Sequence, residues 1–364
     1  MSEDETTGHP YLGLPPRAFW KSAVAQADRD RFPGLVTPRF AITAQTRIAT
    51  AGSCFAQHIA RWLRGAGCRV LDGEPAPASM PAQVAARWGY GLYSGRYGNI
   101  YTARQLRELL EEIALGAAPD PRLVWQRPDG RHVDALRPTI EPEGMESPAE
   151  VLLHREWHLE RVAQVLRRTD LLIFTLGLTE GWEDTATGRI LPVCPGVGAG
   201  RFDPARHVFR NAGHAAVLAD LHAVHALLQR FRPGMRLLLT VSPVPLTATA
   251  SGEHVLTATA WSKAVLRAAA GEFVAGVAAA DYFPSFELVT QPAAGGPWFE
   301  ANWRSISAAG VARVMGIFLA AHGLAPDAAA GPAPADDDAD EGGADEGGAD
   351  DPVCDELLLQ AFAP

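Results

Sequence analysis

Several features that mark whole classes of protein are scarce or missing in this 364-residue sequence. Its four cysteines, Cys54, Cys68, Cys194 and Cys354, stand far apart and form no Cys-x-x-Cys pair. That excludes a zinc knuckle and a dithiol redox motif, and leaves them as small buried hydrophobes. A basic stripe is also missing. Twelve of the 42 acidic residues, and no Lys or Arg, lie after position 326, so the rest of the chain carries only +2. A near-neutral body of that kind is not expected to bind nucleic acid. Nothing approaches the run of about eighteen apolar residues that a membrane helix needs. The segment Met1–His9 has three acids and no basic residue follows before Arg17, unlike the charged and apolar regions of a secretory signal. The expectation is a cytoplasmic chain with no nucleic-acid or membrane partner.

What is present is apolar material: 47% hydrophobic against 20% charged residues, enough for one large domain or two small ones with a buried core. Residues 1–40 are rich in Pro and turn formers, with aromatics at Tyr11, Phe19, Trp20, Phe32 and Phe40, and read as an arm over a core. A main domain is expected over 41–325. In it, apolar runs at Arg47–Ser53, Leu171–Thr175, Leu237–Val241 and Phe273–Ala280 end in polar turns. Helical spacing appears at Phe55–Arg64, Thr102–Leu115, Pro148–Arg168, Ala215–Arg230 and Ala258–Ala270. Buried strands alternating with helices predict a three-layer α/β/α sandwich around a central parallel sheet. The stretch of about 74–165, with a turn at Arg127-Pro-Asp-Gly130, is too long for a simple crossover and reads as a helical insertion shaping the entrance. Residues 326–364 form an acidic tail of Ala, Pro, Gly, Asp and Glu, with Glu341-Gly-Gly-Ala-Asp345 echoed at Glu346–Asp350. That composition predicts disorder. Its last stretch, Val353–Phe362, carries Leu357, Leu358, Leu359 and Phe362, an apolar turn suited to docking on this chain or on a protein partner.

Ligands of open α/β sheets bind outside the carboxyl ends of the strands. Ser53, Thr179 with Glu180, Ser242, and Asp281 with Tyr282 fall at those ends. Ser53 is followed at once by a helix, so its hydroxyl would meet a positive dipole end and backbone N–H groups. Two readings stand side by side: a nucleophile, or an ordinary N-cap.

The string Gly52-Ser-Cys-Phe-Ala56 is the eponymous motif of the GSCFA domain family, which the chain resembles from about Arg47 to Phe318. Tyr97-Gly-Asn-Ile-Tyr-Thr102, Asp134-Ala-Leu-Arg-Pro138, Thr175-Leu-Gly-Leu-Thr-Glu-Gly-Trp182, Thr240-Val-Ser-Pro-Val-Pro-Leu246, Trp261-Ser-Lys263 and Tyr282-Phe-Pro-Ser-Phe-Glu287 are similar to it too. That family is grouped with the SGNH hydrolases, esterases and O-acyl transferases of flavodoxin-like fold that need no cofactor or metal. The resemblance implies Ser53 as nucleophile, Gly98 and Asn99 as oxyanion donors, and Thr179 where the grouping carries an oxyanion Asn. In the place of its Asp-x-x-His stands Asn302-Trp-Arg-Ser305, so Asn302, Arg304 and Ser305 are carried as substrate-side residues and the usual base is missing.

A serine hydroxyl needs a base held by a third group. His254, just past the third strand end, is the first choice, with Glu180 to orient it or to act itself. His58 lies about 140° round its helix from Ser53, and Lys263 could act only with its proton removed by burial. Other signals carry less. His154 and His158 have zinc-compatible spacing, but His-Arg-Glu-Trp-His is not His-Glu-x-x-His, and they read as a solvated or capped pair, as do His222 and His225. Gly196–Gly200 reads as a loop. Arg137, Arg210 and Arg304 either clamp an anionic substrate or form ion pairs. The function expected is O-acyl ester hydrolysis or acyl transfer by Ser53 on a carbohydrate or small metabolite. The alternatives are a ligand-binding or scaffold protein that has lost the dyad, and regulation by the tail. The enzymatic reading requires the Ser53 oxygen to be reachable, with a proton acceptor nearby.

Overall fold

Three of the four apolar runs are strands of one sheet. The computed structural model describes residues 9–324 and 355–362, so the tail repeat and Cys354 lie outside the described residues. The chain enters the sheet at β1 (Ile48–Gly52) and leaves through α1 (Phe55–Gly65). There follow α2 (Ala82–Arg87), α3 (Ala103–Leu115), the hairpin β2 (Val124–Gln126) and β3 (His132–Asp134), and α4 (Pro148–Arg168), which returns to β4 (Leu171–Leu176). Next come β5 (Glu180–Asp184), β6 (Arg189–Leu191), β7 (His207–Asn211), α5 (His214–Phe231) and β8 (Arg236–Val241). The fold ends with α6 (Val255–Gly276), β9 (Ala280–Tyr282), α7 (Ser285–Thr290) and α8 (Ala308–Ala321).

The central sheet runs β1-β4-β8-β9, parallel throughout, with Ile48 beside Leu171, Leu171 beside Arg236 and Leu237 beside Ala280. Alternation along each strand splits the core in two. Leu172, Phe174, Leu237 and Leu239 face α3, α4, α5 and α6. Leu171, Ile173 and Leu238 face α1, α7 and α8, and Phe32, Val36 and Phe40 of the arm pack on that side. The architecture is therefore a three-layer α/β/α sandwich.

The fourth run differs from expectation. Phe273 and Val274 are core positions of α6, which continues to Gly276, and the strand is only Ala280–Tyr282. A short apolar run reads alike in a buried helix and a buried strand. The antiparallel sheet β6-β5-β7 was also illegible, because its strands are short and half-polar. The turn Arg127–Gly130 closes the β2–β3 hairpin, with Arg127 N–H donating to the Arg131 carbonyl. Local chemistry starts the helices where expected. Thr102 caps α3 in a reciprocal pair with Gln105, and Ser147 accepts the Glu150 N–H ahead of Pro148 in α4.

Candidate functional site

The carboxyl ends of β1, β4 and β8 meet at Gly52-Ser53, Leu176-Gly177 and Val241-Ser242. Ser53 N–H donates to the Thr175 carbonyl at 3.1 Å, and Ser242 N–H to that of Leu176 at 2.8 Å. Gly52 sits at φ 141°, and a Cβ there would lie 2.5 Å from the Thr175 carbonyl oxygen, so only glycine fits against β4. A Cβ on Gly177 would lie 2.9 Å from Ser53 Cβ. These glycines seat Ser53 directly against the exit of β4.

Ser53 is 2% exposed, and its Oγ has no hydrogen-bond partner among the described residues. It does not cap α1. The hydroxyl lines a cavity of about 10 Å³ together with Cys54, Tyr101, Gly177, Ser242 and Lys263, about the room one water needs. Lys263, 3% exposed, donates from Nζ to the Gly177 carbonyl at 2.5 Å. Its neighbour Ser262 accepts the Thr179 N–H at 3.1 Å. Two consecutive residues of α6 thus hold the turn leaving β4, and one of them, Lys263, lines the serine's cavity.

Asn99 stands on the other side. Its Oδ1 lies 2.5 Å from the Tyr93 hydroxyl and 3.3 Å from Gln57 Nε2, and the same Tyr93 hydroxyl lies 3.0 Å from the Ser53 carbonyl. With Oδ1 so engaged, Nδ2 turns the other way, to the carboxylate of Asp355 at 2.9 Å. Gly98 adopts φ 69° beside Arg137.

The remaining site residues are dispersed. The backbone N–H of Ser53 is committed to the Thr175 carbonyl and is not offered to an oxyanion. The Thr179 hydroxyl is engaged with Asn211 at 2.7 Å and Ser262 at 3.1 Å. His254 is exposed at the start of α6, where its Nδ1 accepts the Leu256 N–H, and it lines no cavity with Ser53. His58 is buried against the edge of Phe55. Asn302 closes a turn, its Oδ1 accepting the Arg304 and Ser305 N–H groups at 2.9 Å and its Nδ2 donating to the Ser305 hydroxyl.

Glu180 lines a second, larger cavity of about 560 Å³ with Trp182, Val193, Cys194, Val197, Phe209 and neighbours. Its Oε1 accepts from the Thr249 hydroxyl at 2.7 Å, and burial pushes its carboxyl up. Burial likewise pushes the Cys194 thiol up to about 11. Leu178 and Leu246 line both this cavity and the Ser53 cavity, which share a wall there.

His158 is not solvated. It is fully buried, with Nδ1 2.7 Å from Glu74 Oε2, because the face of α4 that carries it packs inward. His154 lies between Arg96 and Arg137. Arg137 is spent on Asp134 and Arg210 on Glu183. Burial and the charge of Arg137 bring the His158 imidazole down to about 4. Its proton uptake is therefore deferred in the native state. As pH falls from about 6.5, the ordinary histidine value, toward 4, the unfolded chain takes up a proton that the native chain does not, and stability drops. We expect His158→Gln to remove about 1.4 kcal/mol per pH unit from that slope, read from denaturant titrations across the window. An unchanged slope would contradict the assignment.

Among the described residues no helix is long and apolar enough to cross a membrane, and no cluster of His, Cys, Asp or Glu could hold a metal ion. Fold and site together define an α/β/α protein whose candidate chemistry lies at the carboxyl edge of a parallel sheet. The GSCFA family matches residues 47–318, and the chain belongs to that family. A search of curated proteins gives no match.

Proposed function

We propose that the chain is a serine acyl hydrolase or acyltransferase of SGNH type in which Ser53 is the nucleophile and Lys263 its proton acceptor. The observation that carries this reading is that Ser53, whose hydroxyl has no hydrogen-bond partner among the described residues, and Lys263, whose amine is held on the adjoining Gly177 carbonyl, line one cavity at the carboxyl edge of the sheet. The Ser53 oxygen would attack an acyl carbonyl and pass its proton to Lys263, and Asn99 Nδ2 with the first turn of α1 would stabilise the oxyanion. Collapse would expel the alcohol, which takes the proton from Lys263. Water or an acceptor hydroxyl then removes the acyl group by the same route. Serine–lysine pairs do this chemistry on other folds. The apolar cavity beyond Leu178 and Leu246 suits the acyl group, and a carbohydrate or small metabolite is the proposed carrier.

A second reading has its own observation. Ser53 is closed off in this conformation, and Asn302-Trp-Arg-Ser305 replaces the usual dyad, as in a binding or scaffold protein. A fluorophosphonate probe separates the two. Covalent labelling of the native protein that is lost in Ser53→Ala supports catalysis. No label on the folded native protein, nor on a folded Asp355→Ala variant that releases Asn99, makes it a binding protein.

A further inference from the structure

We infer that Asn99 and Thr139 form a carboxylate-binding subsite, which the chain fills in cis with Asp355. The C-terminal segment is then a tethered competitor for ligands that combine a carboxylate with an apolar group. That it would block catalysis rests on the reading of Ser53 given above; that it occupies a ligand site does not.

Asp355 is 2% exposed, an unusual state for a carboxylate. Its two oxygens are separately recognised. One accepts from Asn99 Nδ2 at 2.9 Å and the other from the Thr139 hydroxyl. The Asn99 amide is oriented for this from behind, since Tyr93 and Gln57 occupy its Oδ1. The donor that would receive a developing oxyanion therefore already holds an anionic oxygen.

From this anchor the 3-10 segment Asp355–Phe362 runs over the 560 Å³ cavity, where Leu359, Gln360 and Phe362 join Leu178, Trp182, Phe209 and Leu246 as lining. The apolar end grips loosely. Phe362 is 67% exposed, and the cavity stays open beneath it. A buried carboxylate as anchor, with a partly filled apolar site beside it among the described residues, is the arrangement of a displaceable occupant. A better-filling ligand with its own carboxylate would gain the same two hydrogen bonds and more apolar contact.

The probe is a fluorescein-labelled synthetic peptide of residues 353–364, titrated against the full-length native chain and against full-length Asp355→Ala and Leu359→Asp. Circular dichroism checks that each chain is folded. Asp355→Ala removes the anchor, and we expect it to bind the peptide about tenfold or more tightly than the native chain does, with Leu359→Asp, which keeps the anchor and loses only apolar contact, in between. The peptide carrying Asp355→Asn should bind about tenfold more weakly than the native peptide, the scale of one lost charge-assisted hydrogen bond. Equal binding by native and variant chains, or no binding by either variant, overturns the inference. The rate of fluorophosphonate labelling is measured on the same proteins. Faster labelling in Asp355→Ala adds blockade of Ser53, whereas peptide binding without labelling in any chain keeps the subsite and removes the catalytic reading.

Discussion

Lys263→Met will leave a folded protein whose Ser53 reacts with a fluorophosphonate roughly a hundred to ten thousand times more slowly than in the native chain, the range that a positioned general base contributes. Methionine fills nearly the volume of the lysine stem, so the cavity and the packing of α6 are kept. What is lost is the amine at the Gly177 carbonyl, beside the serine. A structural role for Lys263 would also slow labelling by loosening the β4 exit, so the test needs two further readouts. The native rate should follow one titration with pH that the variant lacks. In Lys263→Ala, small primary amines should enter the vacated space and restore part of the rate, while isosteric alkanols should not. Loss of rate with the pH profile intact and no amine rescue would reduce Lys263 to a support for the turn.

The sheet was legible because β1, β4 and β8 are apolar on both faces and end abruptly in Gly-Ser, Gly-Leu and Ser-Pro. A run buried on both sides has no other simple reading once polar turns bound it. Ser53 followed from the same logic. The lysine proposed as its base did not, because sequence distance from a strand end says nothing about which way a side chain points. His254 is close in sequence to the end of β8, but as the residue preceding α6 it spends its ring on the helix's own N–H. Lys263 lies two turns into that helix, on the face turned toward β4. A compositional signal could have raised its rank. The chain has thirty arginines and only two lysines, and Lys263 is the one inside the matched family region. Where arginine serves nearly every need for a positive charge, a retained lysine points to what only lysine offers, an amine able to give up its proton. The carboxylate subsite was out of reach, since Asp355 is separated from Asn99 by most of the chain.

Asp134→Asn is expected to destabilise the protein by about 3–5 kcal/mol, the cost of leaving a buried charge without its partner. Asp134 is buried. Its Oδ2 accepts from Arg137 Nε at 2.8 Å and Arg155 Nη1 at 3.3 Å, and its Oδ1 from the Leu136 N–H at 2.9 Å. Burial alone would push this carboxyl up, yet the charges of Arg155 and Arg137 outweigh it and hold the group ionised, well below the usual carboxylate range. Asparagine keeps the shape and removes the charge. Arg155 retains Glu112 at 2.6 Å, but the buried Arg137 loses its only ion-pair partner among the described residues. The double variant Asp134→Asn/Arg137→Met should therefore recover part of the loss, which urea denaturation of the two singles and the double will show. Arg137 also links this network to the site. Its side chain packs at the Gly98 turn and donates to the Arg96 carbonyl, and Thr139 follows two residues later. If the network fixes the subsite, Asp134→Asn, measured where it is still folded, should weaken binding of the 353–364 peptide in a chain that also carries Asp355→Ala. A stability loss under about 1 kcal/mol, the scale of an exposed ion pair, would mean that water has already replaced the partner.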